Sequence, residues 1–402
     1  MLKSIIRKEI LNNFLSYKFS IITILSTILI LISIFVMYRD YCLALDNYEI
    51  LRAKSEGSLA VIRPAPLAIF ANGLEENLCR AYQGEPSRIE VSKKQQSVNN
   101  VFKLFNAPDL LYIIKVILSL CAMLFAFNIV SGEKETGTLR QTISNTVRRP
   151  TLIIGQWIGG FTSFILPFFI AVLFGTIFIT LSPEVDMNPG NFLKLGLFVV
   201  NSVVYLAIFF SLGLFISCIT HQSSSSLVIS LFVWAIFVFI IPNLGNILAR
   251  QFVRIPTVKR LELKLEQSDI REWFEKNRVD HSEQRRIESR IREENEKLIE
   301  DYRNRLNSLI RLSQNITRIS PVAAFTFLST DIMGTGIAEE HRLKKAVLQY
   351  LRDDNDKMLE YQRSSIKEVL GRGGLGNCLI LVLFNVLFLS GAYVAFLRYD
   401  VR

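Results

Sequence analysis

The side chains able to do chemistry are scarce in this chain's apolar stretches and concentrated in one polar island. It reads Ser131-Gly-Glu-Lys-Glu-Thr-Gly-Thr-Leu-Arg-Gln-Thr-Ile-Ser-Asn-Thr-Val-Arg-Arg-Pro150. The near end carries Glu133 and Glu135, and the far end carries Arg148 and Arg149. Apolar runs on both sides are each long enough to cross a bilayer, so the island is a loop plus one small helix held between two spans. Such an element is placed to receive force from a soluble partner. Covalent catalysis has no comparable centre. An intramembrane hydrolase needs a Ser/His or Asp pair at depth, or a His-Glu-x-x-His helix, and neither is present. The chain has three His and no Cys/His spacing suited to zinc, and His221 reads as a loop residue. No catalytic, cofactor-binding or metal-binding residue is assigned.

Half of the 402 residues are hydrophobic, yet a fifth are charged. The two kinds are segregated along the chain. A membrane span needs roughly 20 mostly apolar residues. Six stretches qualify, at residues 19–38, 110–130, 153–181, 193–219, 227–248 and 378–397, and none contains Asp or Glu. The expected fold is an all-α polytopic membrane protein. The first span is too long for a cleavable signal, and Arg39-Asp-Tyr-Cys follows it in place of a small-residue cleavage site.

Lys and Arg in short loops set orientation. The amino terminus has Lys3, Arg7, Lys8 and Lys18; the island has Lys134, Arg140, Arg148 and Arg149; the carboxyl terminus has Arg398 and Arg402. The loop at 182–190 has Glu184 and Asp186 and no basic residue. Both termini and the island are therefore expected in the cytoplasm, in a plasma (bacterial inner) membrane. Residues 39–109 and 249–377 then fall outside. The net charge of +10 reads as topology signal plus a mixed-charge helical domain, with no nucleic-acid module to claim it.

Residues 1–18 predict an interfacial helix, with Leu2, Ile5, Ile6, Ile10 and Phe14 at helical spacing. In the 39–109 segment, a helical start breaks at Arg63-Pro64-Ala65-Pro66, and the apolar stretch 67–74 is expected on the membrane surface or on the spans. Residues 249–377 predict a large helical insertion between the fifth and sixth spans. One helix carries Leu261, Leu265, Trp273 and Phe274, a long one covers about 282–315, and a third region covers 339–370. Gly371-Arg-Gly-Gly-Leu-Gly376 is expected as a flexible joint into the sixth span. Of the five Cys, Cys121, Cys218 and Cys378 lie in or beside spans as small hydrophobes. Cys42 and Cys79 share the first outside segment. They could bond if that compartment is oxidising; two unpaired thiols is the alternative. Polar residues inside the spans include Lys115, Asn128, Gln156, Asn201 and Asn385. Lys115 is expected to snorkel outward and the others to bond between helices, with lining of a route as the alternative.

The island resembles that of the ABC-2 type permease family, the membrane subunits of one class of ATP-driven transporters. The matching residues are Ser131 to Leu139, with Arg148-Arg149-Pro150 beyond them. Arg63-Pro64-Ala65-Pro66-Leu67 with Asn72-Gly73-Leu74, and Ile319-Ser320-Pro321-Val322 followed by Gly334-Thr335, are similar to a subgroup with large extracytoplasmic insertions. The resemblance implies that the loop after the second span is a coupling helix docking in a cleft of the ATPase. Gly137 would then allow a sharp turn, Thr138 would cap a helix beginning near Leu139, and Leu139 and Ile143 would enter the partner. Glu133, Glu135, Arg140, Arg148 and Arg149 would set register at the rim. The chain has no G-x-x-x-x-G-K-[ST] phosphate loop, so ATP-Mg belongs to a separate ATPase subunit. The resemblance further implies a second permease, as a homodimer or a paired subunit.

The reading that follows is a permease, and an exporter by family. Its rival is a non-transport scaffold or sensor whose outside domain binds a periplasmic or extracellular protein. Co-purification with a soluble ATPase, and stimulation of its turnover, separates the two.

Overall fold

The computed structural model describes residues 2–54, 60–78, 81–83, 90–91, 108–144, 148–253, 263–265, 267–269, 271, 273, 281–352 and 361–399. The chain forms two compact units, residues 1–238 with 324–402, and residues 239–323. Six helical stretches are long and apolar enough to cross a membrane: Tyr17–Ala53, Leu110–Glu135, Arg149–Thr180, Pro189–Ile219, Ser223–Phe252 and Leu375–Leu397. The protein is a helical polytopic membrane protein. Strands among the described residues are three short ones, β1 (Ala60–Val61), β2 (Ala81–Gln83) and β3 (Glu90–Val91), paired antiparallel in that order.

In the first unit, α1 (Leu2–Phe14) precedes α2 (Tyr17–Lys54). α2 continues far past the expected end at residue 38. At about 1.5 Å per residue it is roughly 57 Å long, so it extends beyond the hydrocarbon. A short helix, α3 (Glu75–Leu78), follows. The second span begins at α4 (Leu110–Tyr112), where the Asp109 carboxylate caps by accepting from Tyr112 N at 2.8 Å. It passes through a π segment at Ile113–Leu118 into α5 (Ser119–Ala126). The expected straight span over 110–130 is thus interrupted. The π turn frees the Lys115 carbonyl, which accepts from Tyr205 Oη at 2.8 Å and Ser119 Oγ at 2.7 Å. Trp234 Nε1 donates to the same Ser119 Oγ at 3.0 Å. One irregularity therefore ties three spans together. Lys115 itself lies half-buried with its ammonium 5.5 Å from the Tyr112 ring centre.

The island forms α6 (Ser131–Glu135) and α7 (Thr138–Ser144). Then come α8 (Arg149–Thr180) and α9 (Pro189–Ile219), each with a proline in its first turn where no intrahelical N–H is needed. α9 is the centre of the unit: Tyr205, Phe209 and Phe210 are fully buried, and Tyr205 stacks on Phe325 at 4.2 Å. The fifth span starts as α10 (Ser223–Ala235) and passes a π segment at Ile236–Ile240. The sixth is α16 (Leu375–Leu397), preceded by α15 (Ile366–Val369) and a π segment at Leu370–Gly374. The expected flexible glycine joint is instead a kinked helix, with Gly373 at φ 124°. Asn201 Nδ2 bonds Ser329 Oγ at 2.9 Å, and Asn385 Oδ1 accepts from Ser211 Oγ at 3.3 Å, so these two polar residues join helices.

Residues 67–71 are buried, and Phe70 O accepts from Leu111 N, so the 67–74 stretch rests on the protein. Two segments similar to the subgroup interlock here. Thr335 Oγ1 donates to Ala71 O at 2.9 Å, and Leu74 N donates to Thr335 O at 2.9 Å. Gly73 sits between them at φ +51°, and an added Cβ would lie 2.7 Å from Thr335 O. Gly73→Ala should cost about 1–2 kcal/mol for the left-handed backbone alone, with the clash in addition. Thermal unfolding in detergent, compared with Gly190→Ala, where an added methyl meets nothing within 4 Å, measures this. Equal effects at the two glycines would refute the interlock.

In the second unit, α11 (Ile241–Phe252) packs against α12 (His281–Thr317), an unbroken helix of roughly 55 Å. Its exposed face carries i,i+4 pairs such as Lys297–Glu293 and Arg305–Asp301, both at 2.9 Å. α13 (Pro321–Met333) leads back to the first unit, which continues with α14 (Ile337–Arg352). Of the residues expected on a first helix of this region, Leu261 and Phe274 lie outside the described residues, as do residues 353–360 of the expected third region. Cys79 also lies outside them, and with it the Cys42–Cys79 pairing.

Candidate functional site

The island is built from two short helices that do different things. Gly137 separates them at φ +74°, a left-handed conformation that glycine adopts without a Cβ penalty. Thr138 is the first residue of α7 rather than a cap outside it. Its Oγ1 lies 2.9 Å from Thr136 Oγ1, which in turn bonds Gly132 O at 2.9 Å.

α6 is fastened to the ends of the spans. Ser217 Oγ, near the end of α9, accepts from Val130 N at 3.0 Å and Ser131 N at 2.9 Å. Ser226 Oγ of α10 donates to Phe127 O at 2.6 Å. The two charges that follow match the two helix ends beside them. Lys134 Nζ donates to Cys218 O, and to Thr220 O at 2.9 Å, at the carboxyl end of α9. It also lies 4.6 Å from the Tyr399 ring centre. Glu135 Oε2 accepts from Ser223 N at 3.0 Å, at the amino end of α10. A cation at the negative helix pole and an anion at the positive one are both favourable.

Arg149 repeats the device. Its Nη1 donates to Leu397 O and Tyr399 O, both at 3.0 Å, and so caps α16. The island therefore joins the same-side ends of α9, α10 and α16. Glu133 turns the other way, half-buried, toward the buried Gln156 of α8. Leu139 is 1% exposed, which removes it from the surface offered to a partner. Arg140 and Arg148 are exposed and their side chains make no polar contact among the described residues, and Ile143 is half-buried.

Of the predicted site residues, the structure brings Glu135 and Arg149 to the span ends and Glu133 to α8. Arg140, Ile143 and Arg148 remain on the open side. Sequence reasoning missed Lys134 and Tyr399 as site members. The available signal was Glu133-Lys134-Glu135 itself, three alternating charges immediately after a span, where helix poles must be met.

The ABC-2 family transporter protein family matches residues 3–401 of the chain. The chain belongs to the ABC-2 transporter family. This ABC-2 protein is accordingly the membrane subunit, the permease, of an ABC transporter, and membership implies an ABC ATPase as its partner. No curated protein matches the ABC-2 chain at significant similarity.

Proposed function

We propose that this permease couples ATP hydrolysis by a separate, cytoplasmic ATPase subunit to export of a substrate, with the island as the coupling element. The observation that carries the reading is the division of labour within the island. α6 and Arg149 are anchored to the ends of α9, α10 and α16, while the exposed side chains of Arg140 on α7 and Arg148 beyond it have no polar partner among the described residues. Force applied to α7 passes through a five-residue helix to the ends of α9 and α10, and Arg149 adds the end of α16. Arg140, Arg148 and Ile143 form the contact surface, Gly137 sets its angle, and Glu133, Lys134, Glu135 and Arg149 transmit. ATP-Mg is held by the ATPase, and the permease works with a second permease. The charge asymmetry of the short loops supports both termini and the island on the cytoplasmic side of a bacterial inner membrane. The helical segments within 249–377 then face outward and are placed to meet an extracytoplasmic partner.

The test is reconstitution of the permease with the ATPase. Arg140→Glu with Arg148→Glu should leave the permease folded and reduce ATPase stimulation about tenfold or more, which is 1.4 kcal/mol of lost contact. Undiminished stimulation by that variant would place the docking surface elsewhere.

A further inference from the structure

The sixth span meets the island through two different kinds of contact. Arg149 holds backbone. Its guanidinium takes Leu397 O and Tyr399 O, carbonyls that any side chain at those positions would present. Lys134 holds a side chain. Its ammonium carries three N–H donors. It donates to Cys218 O, and to Thr220 O at 2.9 Å. The Tyr399 ring is its third partner, with the ring centre 4.6 Å from Nζ, inside the reach of about 6 Å for a cation over an aromatic face. The His221 ring, in the turn between α9 and α10, also lies beside it, with centres 6.1 Å apart and planes tilted by 48°. Both contacts are made by the ring and not by the hydroxyl.

These contacts sit where α16 could otherwise slide. Midway along, Asn385 Oδ1 accepts from Ser211 Oγ at a long 3.3 Å. Nearer the end α16 lies flush on α9, since an added Cβ at Gly391 would lie 3.0 Å from Phe215 Cε2. Apolar contact is non-directional, so it sets the distance between the two helices and leaves their register to the groups at the tip. An ammonium fixed to two carbonyls at the end of α9, and set on a ring just beyond α16, supplies that register.

We infer that Tyr399 is a positioning residue for transport: the Lys134 ammonium on its ring makes the end of α16 follow α9 when the island moves. This role rests on the coupling reading proposed above, and adds that the sixth span is driven by the same ammonium that holds the fourth. Without the ring, Arg149 still ties the end of α16 to α8, but the side-chain link from that end to α6 is lost.

The test replaces Tyr399 in the full chain with phenylalanine and with its mono-, di- and trifluorinated forms. Fluorine withdraws negative charge from the ring face and barely changes shape or apolar area, so a cation–π contact weakens step by step while simple packing does not. In the permease alone in lipid nanodiscs, hydrogen exchange of residues 394–399 reads the joint. Tyr399→Phe should keep most of the native protection. Tyr399→trifluorophenylalanine should lose about fivefold, the size expected for a half-buried pair, with the intermediate forms in order. In a Lys134→Met background the same series should be flat. With the ATPase reconstituted, stimulation should fall in the same order. Equal protection across the series would overturn the inference, as would the same decline without Lys134. Stimulation that ignores the ring charge while protection follows it would overturn the role in transport. The coupling reading is judged separately, by Arg140→Glu with Arg148→Glu, whose failure would leave the nanodisc series as it stands.

Discussion

Arg363→Ala destabilises the protein by about 3–5 kcal/mol, the range for removing one partner of a buried ion pair. Arg363 and Glu75 are 15% and 8% exposed and meet in two parallel bonds, Nη1 to Oε2 at 2.7 Å and Nη2 to Oε1 at 2.6 Å. Each also holds backbone. Glu75 Oε1 accepts from Ala65 N at 2.7 Å, and Arg363 Nη1 donates to Gly334 O at 2.6 Å. Truncating the arginine leaves a buried carboxylate and separates three segments at once, those around residues 65–75, 334 and 363. The double variant Glu75→Gln, Arg363→Met keeps the volume and removes both charges, so it should cost well under the sum of the single changes. Lys297→Ala is the control, since Lys297 and Glu293 are 72% and 66% exposed and such pairs contribute about 0–1 kcal/mol. Denaturation in detergent followed by tryptophan fluorescence gives the ranking. If Arg363→Ala is no worse than Lys297→Ala, the clamp does not hold this region.

The same region holds a second buried carboxylate. Glu339 accepts from Ser364 N at 3.2 Å and from Tyr361 Oη at 2.7 Å, with Arg342 beside it. Burial alone would raise its carboxyl, but the hydrogen bonds from Ser364 and Tyr361 and the Arg342 charge outweigh it, so the group lies below the usual range and stays ionised. The segments at 63–75, 334–339 and 361–364 are thus joined by polar contacts between residues up to 300 apart.

That distance explains what the sequence could and could not reveal. Spans were legible because twenty apolar residues without a carboxylate have few other solutions. Their interruptions were not. The π turns at Ile113–Leu118 and Ile236–Ile240 lie in uniformly apolar sequence, and only the waiting Tyr205 and Ser119 hydroxyls explain the first of them. The glycine-rich run before α16 looked flexible by composition, whereas four of the five residues at Leu370–Gly374 keep helical dihedrals and Gly373 alone turns. For the island, the expectation was a loop with one small helix and a turn at Gly137, whereas Ser131–Glu135 forms a second helix before that turn. Residue types did not separate inward from outward charges, because that depends on which helix end each charge meets, across 84 to 250 residues of chain.

Lys134→Glu places an anion against the carbonyls of Cys218 and Thr220 at the negative pole of α9. Removing a favourable, partly buried charge from such a pole costs up to about 2 kcal/mol, and reversal adds repulsion to that loss. One to two kcal/mol is a factor of about 5–30 in an equilibrium, so the anchored state of α6 should cease to dominate. In the reconstituted transporter, ATPase stimulation should fall by that order, while Lys134→Arg, which keeps a long cationic donor, retains most of it. Glu135→Lys should act in the same direction by setting an ammonium against the Ser223 N–H. The decisive variant exchanges the two, Lys134→Glu with Glu135→Lys. Adjacent residues on a helix do not face each other, and each charge is matched to a different helix end, so the exchange mismatches both and should be worse than either single change. Recovery of stability or stimulation in the exchanged protein would mean that the two residues serve one another as an ordinary ion pair, and the island would lose its assigned connection to α9 and α10.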